Sequence, residues 1–281
     1  MTHLILQAPD LDAAKAEQIA AVAAANGLQS LSTTATRLLD VDPATRPEVE
    51  RLCAELHVDY AYLERVPRLA ECKILASDMD STLINIECID EIADMAGRKA
   101  EVAAITEAAM RGEIKDFSES LRRRVALLRG VPQKALERVY DERLRTNPGA
   151  ERLIVSAKAA GLKIMLVSGG FTFYTERLKQ RLGLDETHAN VLEIDQGKLT
   201  GRVLGDIVDG QAKAAYLQAL AFDTGAAPEQ IIAMGDGAND LKMLALAHYS
   251  VAYRAKPVVR QQTRYALNYS GLDAVLNWFR G

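Results

Sequence analysis

Residues 73–83 read KILASDMDSTL, a short apolar run that stops abruptly at two aspartates. Ile74, Leu75 and Ala76 lack helical spacing in a run of strand length, which predicts a buried parallel strand whose carboxyl end is Asp78. In open α/β sheets ligands collect in the crevice beyond the carboxyl ends of the strands, so Asp78 and Asp80 stand where chemistry is usually done. A polar loop after a strand would read the same way, and the choice rests on what else the chain places at such ends.

Two further apolar runs end similarly. Residues 163–167, KIMLV, lead into Ser168, Gly169 and Gly170, and residues 231–234, IIAM, lead into GDGAND at 235–240. Residues 211–222 between them have helical pattern and carry Lys213 in the first turn, where a lysine opposes the helix dipole and is a poor surface choice. Residues 190–194 and 198–203 flank Asp195, Gln196 and Gly197, a hairpin signal. Residues 249–253 and 266–269 complete the expected sheet, and 272–279 form a closing helix.

Outward from this core the pattern changes twice. Residues 86–145 are dominated by Ala, Glu, Arg and Leu, predicting helices over 88–95, 98–111, 116–128 and 133–144, broken at Gly97, Gly112, Gly130 and Pro132. One helix would suffice for a crossover, so an all-helical block here reads as an inserted cap. Pro148 and Gly161 bracket a further helix. Residues 1–70 close their own pattern: a strand at 3–7, a helix at 12–25 capped by Asp10 and ended by Gly27, an extended stretch at 28–39, a helix at 47–57 and a strand at 58–63. That order predicts a small α+β unit.

The 281 residues suffice for a large core and for two domains. A net charge of -4 and a pI near 5.7 leave no basic excess to attract nucleic acid or anionic membrane, so a small-molecule partner fits better. The N-terminus lacks a basic n-region and no apolar run reaches the length of a membrane span, which predicts a cytoplasmic protein. Cys53, Cys72 and Cys88 lack metal-ligand spacing and read as reduced, buried hydrophobes; His3, His57, His188 and His248 are scattered, and the carboxylates are better acid/base candidates.

DMDST, SGG, GDGAND and the intervening lysine, in this order, resemble the haloacid dehalogenase superfamily of phosphotransferases over residues 73–281. The wider stretches DMDSTLINIECIDEIA at 78–93, SLRRRVALLRGVP at 120–132, VSGGFT at 167–172 and GDGANDLKML at 235–244 look most like the branch that hydrolyses O-phospho-L-serine in the last step of serine synthesis. The resemblance implies a Rossmann-like parallel α/β sheet over residues 71–281 with a helical cap inserted at about 86–145. More loosely, and on element order alone, residues 1–70 resemble ferredoxin-like folds of the amino-acid-sensing ACT kind. That leaves open an amino-acid effector site or a structural, dimerising appendage.

The resemblance also implies roles. Asp78 is the nucleophile that forms an aspartyl-phosphate, and Asp80 the acid that protonates the leaving alkoxide and later the base that activates water. Asp78, the main-chain carbonyl of Asp80 and Asp236 hold Mg2+, with Asp240 supporting that shell or joining it. Hard carboxylate oxygens suit magnesium, and the absence of nearby Cys and His argues against zinc. The cation answers a real need, because like unit charges at 4 Å repel by about 1 kcal/mol in water and about 4 kcal/mol at an effective dielectric of 20. Ser168 and Gly169 cradle the phosphate, Lys213 supplies fixed positive charge and Asn239 an amide donor. Both Asp236 and Asp240 also suit a glycine-rich turn capping the next helix.

A phosphorylated amino acid needs one acid and one base outside the phosphate site, and Glu87 and Arg124 match the family's positions. At about 100° per residue Arg124 borders the apolar stripe of Leu121, Val125 and Leu128, whereas Arg122 and Arg123 turn to solvent. Met110, Phe117 and Val125 line the cap's apolar side or pack its core. The alternatives are a phosphatase for another small phosphomonoester, such as phosphohomoserine, and an amino-acid-sensing binding protein with a vestigial phosphatase domain.

Overall fold

The computed structural model describes residues 2–111, 113–114 and 116–280, apart from the side chain of Met110. The expected roles of Gly112 as a break and of Met110 in the cap wall therefore lie outside the described residues. Two sheets organise the chain, one of four strands and one of seven.

The small sheet comes first: β1 (His3–Gln7), α1 (Ala13–Val22), β2 (Gly27–Ser32), β3 (Ala35–Leu39), α2 (Arg46–Glu55) and β4 (Asp59–Leu63). Its order is β2-β3-β1-β4, antiparallel throughout. Strand alternation divides its residues. Leu4, Leu6 and Leu38 pack against Ile19, Val49 and Cys53 of the two helices, while Ile5, Ala61 and Leu63 join the core of the large sheet. Asp59, buried, accepts the backbone N–H groups of Asn268 (2.7 Å), Tyr269 (3.0 Å) and Ser270 (2.8 Å), fastening β4 to the large sheet's last loop.

Two local expectations differ here. Asp12, not Asp10, caps α1: it directly precedes the helix in extended backbone and accepts Lys15 N at 2.8 Å, whereas Asp10 lies two residues too early and pairs with Lys15 Nζ at 2.6 Å. The left-handed exit falls on Ala24 (φ +48°), and Gly27 opens β2 instead. The stretch 28–39 is extended as expected, forming the two strands of a hairpin.

The large sheet holds β5 (Ile74–Ser77), β6 (Lys163–Phe171), β7 (Glu186–Asp195), β8 (Lys198–Leu204), β9 (Ile231–Gly235), β10 (Tyr249–Tyr253) and β11 (Tyr265–Leu267). Their order is β11-β10-β9-β5-β6-β7-β8, parallel except for the β7–β8 hairpin. The strands β5, β9 and β10 are buried along their whole length, as expected of parallel strands covered on both faces. Leu75, Leu166 and Met234 face one layer of core; Ile74, Ala76, Met165 and Ala233 face the other. The hairpin turns at Gln196 (φ +46°) and Gly197 (φ +73°), where two successive positive φ angles match the right-handed strand twist.

Helices α3 (Cys88–Met95), α4 (Lys99–Met110), α5 (Phe117–Ala126) and α6 (Lys134–Arg138) occupy the segment between β5 and α7 (Ala150–Ala159). The expected helix over 133–144 is split, its second half being a wide turn over Val139–Arg143. The two strands of chain that enter and leave this cap are stitched together: Ile84 bridges Thr146, and Asn85 N donates to Arg145 O at 3.0 Å. Two helices had no expectation, α8 (Thr172–Leu182) and a short one over Pro257–Arg260, while α9 (Gly210–Thr224) falls where its pattern placed it. The closing segment Leu272–Trp278 is a 3-10 helix. No helix among the described residues is long and apolar enough to cross a membrane.

Candidate active site

Because β9, β5 and β6 are neighbours, their carboxyl ends bring DMDST, SGG and GDGAND side by side. Asp78, 5% exposed, directly follows β5, with its N–H donating to Met234 O at 3.0 Å. Beyond it the chain makes a wide turn over Met79–Leu83, closed by Ile84 N donating to Met79 O at 3.0 Å, with Ser81 at φ +58°. That turn lifts Asp80 towards the cap, where its Oδ1 accepts Cys88 N at 3.1 Å.

The foot of the site is a buried cluster of three charged residues. Lys213, wholly buried, reaches from the first turn of α9 to donate to Asp78 Oδ1 (2.5 Å) and Asp240 Oδ1 (2.7 Å). Burial works against the Lys213 ammonium, but Asp240 and then Asp78 outweigh it, and its pKa is raised. Asp240 also accepts Asp236 N (3.2 Å) and Gly237 N (3.0 Å) at Oδ2, so both its oxygens are engaged. Asp236 accepts the Thr82 hydroxyl at 3.1 Å.

Asp78, Asp236 and Asp240 each offer an oxygen within 4.8 Å of the others. Burial, then Asp240 and Glu87, push the Asp236 carboxyl up to about 7; burial pushes Asp78 up as well, opposed first by Lys213. Three acids sharing one ammonium leave a surplus of negative charge, and the donor set is all hard oxygen. The site therefore fits a divalent cation such as Mg2+. Burial and then Glu87 raise Asp80 to about 7.

Above this foot lies a cleft of about 890 Å3 between the sheet and the cap. Ser168, wholly buried, accepts Gly170 N at 2.8 Å. Gly169 lies beneath Phe117 of α5, where a Cβ would stand 2.7 Å from the ring. Asn239 lines the cleft from the turn after β9. Across the cleft, Glu87 and Arg124 face it from the cap; Glu87 accepts the Ser81 hydroxyl at 2.7 Å, and Arg122 and Arg123 are exposed as their helical positions require. Val125, wholly buried, packs the cap core instead of lining the cleft, and Leu121 takes the cleft-facing place.

Four contributors had no expectation. Thr82 holds Asp236, Asp90 lines the cleft from α3 beside Glu87, and Lys256 lines it from the loop after β10. Buried Asn190 donates to Gly169 O (2.8 Å) and accepts Val208 N (2.9 Å), tying the β6 end to β7. Thr82 sits inside the DMDST motif and was legible there; the others carry no local pattern.

A model of haloacid dehalogenase-like hydrolases matches residues 75–245. The chain belongs to that family. A second model, described only as a domain of unknown function, matches residues 4–49. Within the hydrolases the chain is 60% identical to a phosphoserine phosphatase of Polaromonas sp. over 74% of its own length and 90% of that protein. It is 44% identical to one from Vibrio cholerae over 84% of its length and 71% of that protein. The crystal structure of the probable phosphoserine phosphatase from Vibrio cholerae, unliganded, superposes with a TM-score of 0.84 at 38% identity, covering 99% of this chain and 86% of that one. A substrate-bound phosphoserine phosphatase complex superposes at 0.69 and 38% identity, over 74% of this chain and 99% of that one. These relatives place the chain among the phosphoserine phosphatases of the family.

Proposed function

We propose that the chain hydrolyses O-phospho-L-serine to L-serine and phosphate through a phospho-aspartate. The observation that carries the reading is the buried Lys213 between Asp78 and Asp240, at the foot of a cleft whose other wall bears Glu87 and Arg124. A divalent cation on the three acids would give the phosphate opposite charge at the foot, and Glu87 and Arg124 give it to the zwitterion.

An oxygen of Asp78 attacks phosphorus as the P–O bond to serine breaks, and the proton of Asp80 goes to the departing alkoxide. Burial and Glu87 suit Asp80 to hold that proton near neutral pH. Water then attacks phosphorus, giving a proton to Asp80 as the P–O bond to Asp78 breaks, which frees phosphate and the Asp78 carboxylate. Ser168, the Gly169 N–H and Asn239 cradle the phosphoryl oxygens, and Lys213 offsets the repulsion between carboxylate and phosphate. Arg124 grips the substrate carboxylate with its planar fork while Glu87 takes the ammonium.

Asp78, Asp236 and the Asp80 carbonyl would hold Mg2+, with Asp240 orienting them, since its own oxygens already accept Lys213 and two backbone N–H groups. When bound, the ion supplies charge neutralisation at the phosphoryl group. Measuring phosphate release from a panel of phosphomonoesters, with Mg2+ and with EDTA, tests the reading: phosphoserine is expected to lead the panel, only with metal.

We place the domain boundary at about residue 70. The antiparallel order β2-β3-β1-β4 supports a ferredoxin-like, ACT-like reading of the first unit. A homodimer and an amino-acid effector there rest on the resemblance alone. A cytoplasmic location accords with three free, buried thiols.

A further inference from the structure

Asp90 stands in the first turn of α3, three residues past its extended N-cap Glu87, and both acids line the cleft with Arg124 of α5. Their situations differ. Glu87 already accepts a hydroxyl, whereas Asp90 Oδ1 is buried without any hydrogen-bond partner among the described residues. Arg124 is equally under-used, with one long contact from Nε to Ser120 O at 3.4 Å. Each is the other's foremost charge: Arg124 leads the opposition to the rise that burial imposes on Asp90, and Asp90 leads the opposition to the fall that burial imposes on Arg124.

We propose that Asp90 is a positioning residue for Arg124, holding one edge of the guanidinium so that the other edge meets the carboxylate of the substrate. A guanidinium has five N–H donors in a fixed fork, enough for two carboxylates on different edges. A buried carboxylate oxygen without a donor is costly, and closing it onto Arg124 removes that cost as the substrate arrives. Glu87 is then left for the ammonium, so the two neighbouring acids have separate tasks. The inference rests on reading Arg124 as the carboxylate grip.

A double-mutant cycle tests it. Asp90→Asn keeps the shape and removes the charge; KM for O-phospho-L-serine is expected to rise about tenfold with kcat changed by less than about threefold, and KM for an aryl phosphate to rise far less. In an Arg124→Ala background the same substitution is expected to add less than about twofold, because its route of action is gone. Asp90→Glu keeps the charge on a longer arm and is expected to recover most of the affinity. Asp90→Ala, which removes the carboxylate outright, carries the cycle should Asp90→Asn fail to fold. An undiminished KM effect in the Arg124→Ala background would mean that Asp90 touches the ammonium itself, and an equal rise for both substrates would mean a merely structural role; either overturns the proposal. Absence of phosphoserine turnover by the unmodified enzyme, seen in the same assay, would instead sink the substrate reading.

Discussion

Gly170 stands so close to Asp80 that a Cβ on it would lie 2.6 Å from Asp80 Oδ2, and also 2.8 Å from Met79 Cε and 3.0 Å from Ser168 Oγ. The glycine after Ser168 and Gly169 is therefore the space into which the Asp80 carboxylate fits. Gly170→Ala is expected to displace Asp80 and lower kcat by about 100-fold, the cost of a misplacement of roughly 1 Å, with circular dichroism unchanged. Activity within about twofold of the parent would show that the carboxylate has room to spare.

Asn147, buried where the chain leaves the cap, donates from its amide to the carbonyls of Thr82 (2.8 Å), Ile84 (3.0 Å) and Ser81 (3.3 Å). One side chain thus shapes the wide turn that carries Asp80. Asn147→Ala is expected to lower the unfolding free energy by about 2 kcal/mol, because buried carbonyls lose their donor, and to lower activity too. Urea denaturation together with phosphate release checks both.

Much of this site was legible in the sequence because its residues sit at strand ends. An apolar run that stops at Asp78, Ser168 or Asp236 declares both the strand and the exposed edge, and the helical stripe through Leu121 and Val125 separates Arg124 from its neighbours. What escaped depends on distance in space. Asp90 looks like any first-turn helix acid, Asn190 like any strand-border amide, and Asp59 gives no hint of the three N–H groups more than two hundred residues away that it gathers. Helix α8 escaped because it starts directly at the end of β6, with no cap residue or proline between them.

The cysteines give a test of packing. Burial pushes Cys53 and Cys72 up to about 12 and holds Cys88 well above its ordinary value, so all three are protonated thiols in the native protein. Titration with a disulfide reagent near pH 8 is expected to find none reactive before unfolding and three after it.

His248 gives a test of pH dependence. Burial first, and Arg264 next, lower its pKa below 6.5, so the folded state favours the neutral ring. The unfolded state then binds more protons just below that value: the stability His248 contributes is present above pH 6.5 and is lost as the pH falls through its folded pKa. His248→Gln is expected to flatten the loss of stability on that acid side, measured as urea midpoints at about pH 7.5 and 5.5.

The central claim is that Asp78 becomes phosphorylated, and rapid acid quenching with 32P-labelled phosphoserine in the presence of Mg2+ tests it directly. Label bound to the protein, released by hydroxylamine as expected of an acyl phosphate, mapped to Asp78 and abolished in a folded Asp78→Asn variant, is the expected result. Turnover of phosphoserine by that variant, or turnover by the parent enzyme with no protein-bound label at any quench time, would contradict the account.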